Sequence, residues 1–245
     1  PGFTITGMNG LAYDPTTYET YIIMKVSAVT GRVLGKINMT TGVCTQVGNL
    51  GDNFSSIIFD ETGQLWGSTG DGATVTETLY KIDKTTGVKT LMYAMGNGAD
   101  GEVICYNRDD NNIYHWSGNG TVVMEKFALS NVTYTPTNIP TSGTPGGETF
   151  GMMYLDATHF IVSNISSNLR RLNANGAYGT ATLSNNPDDL RGLVMPPRFA
   201  HVNTTICPIT DTTFVGAGNL MLFDSVIYHW GDGNTTATAA SVNGS

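Results

Sequence analysis

Four histidines, His115, His159, His201 and His229, are spread through the chain without a spacing that would set two of them on one metal. No Gly-x-Ser-x-Gly elbow, His-Glu-x-x-His helix or phosphate-cradling glycine loop occurs. Nothing in the linear sequence therefore sets a nucleophile or a metal beside a base, and no enzymatic activity is expected. Oxygen-rich side chains do gather, at Asp100-Gly101-Glu102, at Asp109-Asp110-Asn111-Asn112 and at Asp188-Asp189. Such groups suit calcium, the one cofactor left open, although none has the spacing of an EF-hand loop. Asp and Asn also hold turns by bonding the backbone two residues on, which accounts for these clusters without an ion. Asp100 and Glu102 would face an axial channel if one exists. Trp66, Tyr114, Trp116 and Trp230 offer faces for sugar rings or for packing between sheets, and packing is the expectation. His115 and His159 are expected as packed strand residues.

Cysteine chemistry is equally sparse. Cys44, Cys105 and Cys207 fit no CxxC or zinc pattern, and an odd count allows at most one internal bridge. Buried free thiols are expected. Candidate glycosylation sequons stand at Asn38, Asn53, Asn119, Asn131, Asn164, Asn203, Asn234 and Asn243. A chain this rich in Asn and Thr also generates such triplets by chance.

The elements that position these groups follow from composition and periodicity. Of 245 residues only 13% are charged, about half the usual share of roughly 25%, so Thr, Asn, Ser and Gly must carry the surface. A formal charge of -8 argues against nucleic acid and against an anionic membrane surface as partners. No apolar run reaches the roughly 18 residues of a membrane-spanning helix. The sparsely charged surface suggests a secreted or cell-surface protein, and a start at Pro1 suggests a mature or excised segment.

A repeat dominates. INMTTGVCTQVGNLG from Ile37 and IDKTTGVKTLMYAMG from Ile82 coincide at an offset of 45 residues, which leads on to Phe127 and Leu172. A second series, Tyr13, Phe59, Tyr106, Tyr154 and Met195, runs in phase at spacings of 46, 47, 48 and 41. Each marker ends a short apolar run, and Asp14, Asp60, Asn107 and Asp156 follow the first four as turn residues. Four strands in about 45 residues, repeated, predict a β-propeller. The chain is read as all-β, with four-stranded blades over 8–51, 52–98, 99–144 and 145–187 and a fifth beginning at Leu190–Met195. PGFTITG is read as the closing strand of a preceding blade.

The phrases NGLAYDPTT, INMTTGVCTQVGNLGDN and NGADGEVICYNRDDNNIYHWSG resemble a group of secreted bacterial propeller domains, over residues 1–199. That resemblance implies a fold and supplies no catalytic residues. VIYHWGDGNTT, from Val226, resembles the core of polycystic-kidney-disease-type repeats and of repeats in gliding-bacterial surface proteins, both immunoglobulin-like. Residues 200–245 are therefore either the start of such a module or the outer strands of the last blade. By elimination, the expected function is a non-catalytic structural or adhesive module of a larger cell-surface protein or filament, assembling with copies of itself or neighbouring modules by strand complementation. The alternative is a secreted propeller that binds or cleaves carbohydrate.

Overall fold

The computed structural model describes residues 3–70, 72–75, 77–95, 100–119, 122–131, 133–143, 148–165, 168–183, 190–194, 225–229 and 235–239, with backbone alone at some of them. The chain divides into two compact units, Pro1–Met195 and Pro196–Ser245. The first unit holds four antiparallel sheets of four strands each. They are β1 (Ile5–Tyr13), β2 (Thr20–Val26), β3 (Val33–Ile37) and β4 (Cys44–Asn49); β5 (Phe54–Phe59), β6 (Leu65–Thr69), β7 (Thr78–Ile82) and β8 (Lys89–Ala94); β9 (Asp100–Asn107), β10 (Asn112–Asn119), β11 (Val123–Ala128) and β12 (Thr137–Ile139); β13 (Thr149–Asp156), β14 (His159–Asn164), β15 (Leu169–Asn173) and β16 (Tyr178–Leu183).

The first strands of the sheets stand beside one another, β1 against β5, β5 against β9 and β9 against β13, while residues 190–194 lie between β13 and β1, so the sheets radiate as propeller blades. Both repeat series find their meaning here. Tyr13, Phe59, Tyr106 and Tyr154 lie at or near the ends of the innermost strands, and Ile37, Ile82, Phe127 and Leu172 lie on the third strands.

Alternation along each strand sends one set of side chains to either face, and apolar layers fill the space between successive blades. Ala12, Tyr21, Ile23 and Leu34 of the first blade meet Phe54, Ile57, Phe59 and Leu65 of the second. Trp66 and Leu79 meet Ile104, Ile113 and Phe127. Val103, Tyr114 and Trp116 meet Met152, Tyr154 and Phe160. An aromatic pair crosses each of these layers: Tyr21–Phe59 at 5.1 Å, Tyr93–Phe127 at 5.5 Å and Tyr114–Phe160 at 4.8 Å between ring centroids. Such pairs add roughly 0.5–1.5 kcal/mol beyond the area they bury.

Two expectations are revised by the strand register. Residues 5–7 do not close a preceding blade; they extend β1, with Ile5 opposite Val26. The expected fifth innermost strand is represented by residues 190–194, without regular ladder pairing. Gly10 N donates to Arg191 O at 2.6 Å, and Ser163 Oγ donates to Leu190 O at 2.6 Å, so this segment links the fourth blade to the first. Four complete blades are present among the described residues. In the second unit, β17 (Ser225–His229) pairs with β18 (Thr235–Ala239) as an antiparallel hairpin, and residues 230–234 between them lie outside the described set.

Close approach of blades is sharpest at Gly48 on β4, where an added Cβ would overlap the carbonyl oxygen of Thr86 in the β7–β8 turn. Gly48→Ala is expected to lower unfolding free energy by about 1–3 kcal/mol, as overpacking does. Gly7→Ala, where a Cβ meets only Lys25 Cβ at 3.7 Å, serves as the near-neutral control in urea denaturation.

Candidate functional site

The ring has two ends, and they are built differently. At the end where innermost strands finish, the repeated Asp and Asn residues cap turns. Asp14 Oδ1 accepts from Thr16 N at 2.8 Å, Asp60 Oδ1 from Thr62 N at 2.9 Å, Asn107 Oδ1 from Asp109 N at 3.0 Å and Asp156 Oδ1 from Thr158 N at 2.9 Å. Asp14 and Asp60 are also joined to other parts of the structure. The Lys84 ammonium, on the second blade, donates to Asp14, and Trp66 Nε1 donates to Asp60 at 2.9 Å. Asp109 accepts from the Tyr154 hydroxyl, and Asp110 from Tyr114 Oη at 2.7 Å. These carboxylates serve as turn and blade linkers. Among the described residues no three His, Cys, Asp or Glu side chains gather closely enough to hold a metal ion.

At the other end, where the innermost strands begin, side chains replace ladder bonds between strands. Asn9 Nδ2 donates to the carbonyls of Phe54 and Ser55, each at 3.1 Å, and Ser56 Oγ accepts from Ile104 N at 3.2 Å. Arg32 stands at this end, in the loop leading to β3. Its backbone is fixed on the crossing from the first blade to the second: Arg32 N donates to Asp52 O and Leu50 N to Arg32 O, both at 2.9 Å.

The Asp52 carboxylate does not neutralise Arg32. It accepts instead from three backbone amides, Asn53 N at 2.9 Å, Thr74 N at 2.7 Å and Val75 N at 3.2 Å. Burial alone would raise the Asp52 carboxyl, but these donations outweigh it and hold the group below its ordinary value. The guanidinium of Arg32 is left with no hydrogen bond from its enclosed Nε among the described residues. Burial, and then the charge of Arg191, weaken its hold on its proton. Arg191 opens the segment joining the fourth blade to the first, and its guanidinium carbon lies 3.8 Å from the centre of the buried Phe150 ring. This end of the ring thus carries two guanidinium groups on its rim, one half-buried and one seated on an aromatic face, a group type suited to oxyanions.

The other sequence-derived candidates fall as follows. Asp100 and Glu102 open β9 at the same end, in register with Asn119 and Ser117; their side chains, like that of Asn119, lie outside the described set, and so do Asp188, Asp189, His201, Cys207 and Trp230. Trp66, Tyr114 and Trp116 are buried in the interblade layers, as expected for packing. His115 is fully buried, with Nδ1 3.1 Å from Oε1 of the equally buried Glu125 across the β10–β11 ladder; Glu125 Oε2 has no hydrogen-bond partner among the described residues. His159 is only partly buried and binds the turn residue Asp156 at 2.8 Å. Of His229 only the strand backbone is described.

Cys44 and Cys105 are free thiols, and burial raises the Cys105 thiol far above its ordinary value. Among the sequons, Asn38 is exposed, Asn53 and Asn131 are partly exposed, and Asn164 is buried with Oδ1 accepting from Tyr178 Oη at 2.7 Å. Asn203, Asn234 and Asn243 lie outside the described residues. Arg32, Arg191 and Glu125 escaped sequence reasoning, because single residues from separate loops and strands form no linear motif.

No protein-family model matches the chain, and no curated protein matches it. Among solved structures, the fold is similar to XC5397 from Xanthomonas campestris, described as a gluconolactonase important in glucose secondary metabolic pathways. The two share 11% identity with a TM-score of 0.45, over 74% of this chain and 78% of the other. The likeness concerns the fold alone. The expectation of a non-catalytic structural or adhesive module without enzymatic activity is withdrawn. The elimination rested on architecture and missing linear motifs, and neither excludes catalysis.

The Asp52 cap yields a pH prediction. Its depressed carboxyl contributes stability that is present above the unfolded value near pH 4 and is lost as pH falls through the lower folded value. Asp52→Asn is expected to cost about 1.5–3 kcal/mol at pH 7, the range for hydrogen bonds to a charged group. The gap from wild type should close on acidification below about pH 4, measured by denaturation at each pH.

Proposed function

We propose that the end of the propeller carrying Arg32 and Arg191 binds a small organic oxyanion, a carboxylate or phosphate on a low-molecular-weight ligand. The observation that carries this reading is the half-buried Arg32 guanidinium, which no carboxylate engages among the described residues. The chain has 20 acidic residues to 12 basic ones, yet the adjacent Asp52 carboxylate is committed to amides. An oxyanion would be taken at the outer Nη edge of the fork, since the enclosed Nε is out of a ligand's reach. Arg191, held on Phe150, would add a second positive charge.

Ligand-observed NMR and calorimetry with acetate, citrate, inorganic phosphate, sugar acids and sugar phosphates test the reading, and the same spectra report any turnover. Arg32→Met is expected to weaken binding about tenfold or more, the effect of losing one charge-assisted pair. Raised salt should weaken it further, since the rim is partly exposed. Equal binding by wild type and Arg32→Met, or no binding at all, would overturn the proposal.

An extracellular setting belongs to the same proposal, supported by the low content of charged residues and by the exposed sequon at Asn38. Secretion from a eukaryotic host should then yield glycan at Asn38, read as a mass loss on glycosidase treatment that Asn38→Gln reduces by one glycan; an unmodified mass counts against it.

A further inference from the structure

The residues four places before the markers of the inner-strand series are Asn9, Ser55, Glu102, Phe150 and Arg191. Four of them lie on β1, β5, β9 and β13, and the fifth lies in the segment that links the fourth blade to the first. They form one tier at the end of the ring where the innermost strands begin. Glu102 enters this tier by strand position only, its side chain lying outside the described set.

Within the tier Asn9 and Arg191 are on neighbouring stretches of chain, joined by the bond from Gly10 N to Arg191 O at 2.6 Å. Backbones bonded in this way run about 5 Å apart. Arg191 in turn rests on the Phe150 ring, and its charge acts on Arg32.

The Asn9 carboxamide is used on one side only. Its Nδ2 donates to Phe54 O and to Ser55 O, each at 3.1 Å, which occupies both amide hydrogens. The orientation of the group is thereby fixed, since a flip would set Oδ1 against two carbonyl oxygens. Oδ1 accepts no hydrogen bond among the described residues, and Asn9 is only partly buried. The neighbouring Ser55 hydroxyl is engaged within its own blade, donating to Ser68 O at 3.2 Å. The tier thus presents one fixed acceptor on the chain beside Arg191.

An acceptor next to a cation suits a ligand with two features. The cation pairs with a carboxylate, and the acceptor takes a hydrogen from a donor on the adjoining carbon. A hydroxyl supplies that hydrogen without adding positive charge beside two guanidinium groups, as an ammonium would.

We propose that Asn9 sets the specificity of the oxyanion rim and selects α-hydroxy carboxylates, the carboxylate held by the rim guanidinium groups and the α-hydroxyl donating to Asn9 Oδ1. This rests on the reading of the Arg32 end as an anion site and adds a second contact to it. No covalent step is involved.

Calorimetry on the intact chain compares lactate with propionate and with the O-methyl ether of lactate. All three are carboxylates of like charge, and lactate alone has a hydroxyl to donate. Lactate is expected to bind about two- to tenfold tighter than either, the effect of one hydrogen bond. Asn9→Ala should level the three at the propionate value, whereas Arg32→Met should weaken all three and keep their ratio. Should Asn9→Ala fail to fold, the ether comparison in the wild-type chain decides. Equal binding of the three by wild type overturns the Asn9 assignment and leaves the anion site standing; no binding of any of them overturns both. Alanine, with an ammonium in place of the hydroxyl, should bind more weakly than lactate, and tighter binding overturns the choice of a hydroxyl.

Discussion

A sheet that is apolar on both faces is soluble only as a layer between two others. That constraint organises the first unit. Tyr21 and Ile23 bury one face of the first blade against the second, while Ile22, Met24 and Val33 line its other face. The second and third blades bury both faces in the same way, and Trp66, Trp116 and, on the fourth blade, Phe160 are among the large fully buried side chains. Burying groups of this size contributes on the order of 1.5–3 kcal/mol each. Because blades meet face to face, their innermost strands approach without sharing a ladder. Asn9 and Ser56 supply hydrogen bonds there that a continuous sheet would have made with backbone.

Radial packing also separates two kinds of chemistry. Where the innermost strands finish, acidic and amide groups are consumed by the turns they cap, and Lys84 ties one such turn to the neighbouring blade. Where those strands begin, a carboxylate is consumed as well, but by amides, so the arginine bonded to its backbone is not neutralised. Turn stability and electrostatic character are thus decided by which donors reach a carboxylate first.

The fold was legible because its signal is local and repeated. A 45-residue offset from Ile37 through Leu172 picks out the third strands, and the acidic residues after Tyr13, Phe59 and Tyr154 mark the turns that follow the first ones. Legibility fails where context decides. Ile5–Gly7 has the composition of any outer strand, and only its pairing with Val26 and Lys25 assigns it to β1. Asp109 and Asp110 have the chemistry of cation ligands, but Tyr154 and Tyr114, brought in by other strands, engage them. Arg32 carries no pattern at all; its significance lies in the absence of a carboxylate partner among the described residues, a property of three-dimensional surroundings. The expectation of a passive module failed for the same reason, since motif searches see neighbours in sequence and propeller sites draw on loops from separate blades.

The rim charge has a kinetic consequence. With a formal charge of -8, the molecule as a whole repels anions, so a negatively charged small molecule is not drawn in from afar. At physiological ionic strength fields fade over about 8 Å, so the guanidinium groups prevail only for a solute already at the opening. Any capture at that rim would be a short-range event, limited by local encounter and not by steering across the whole surface.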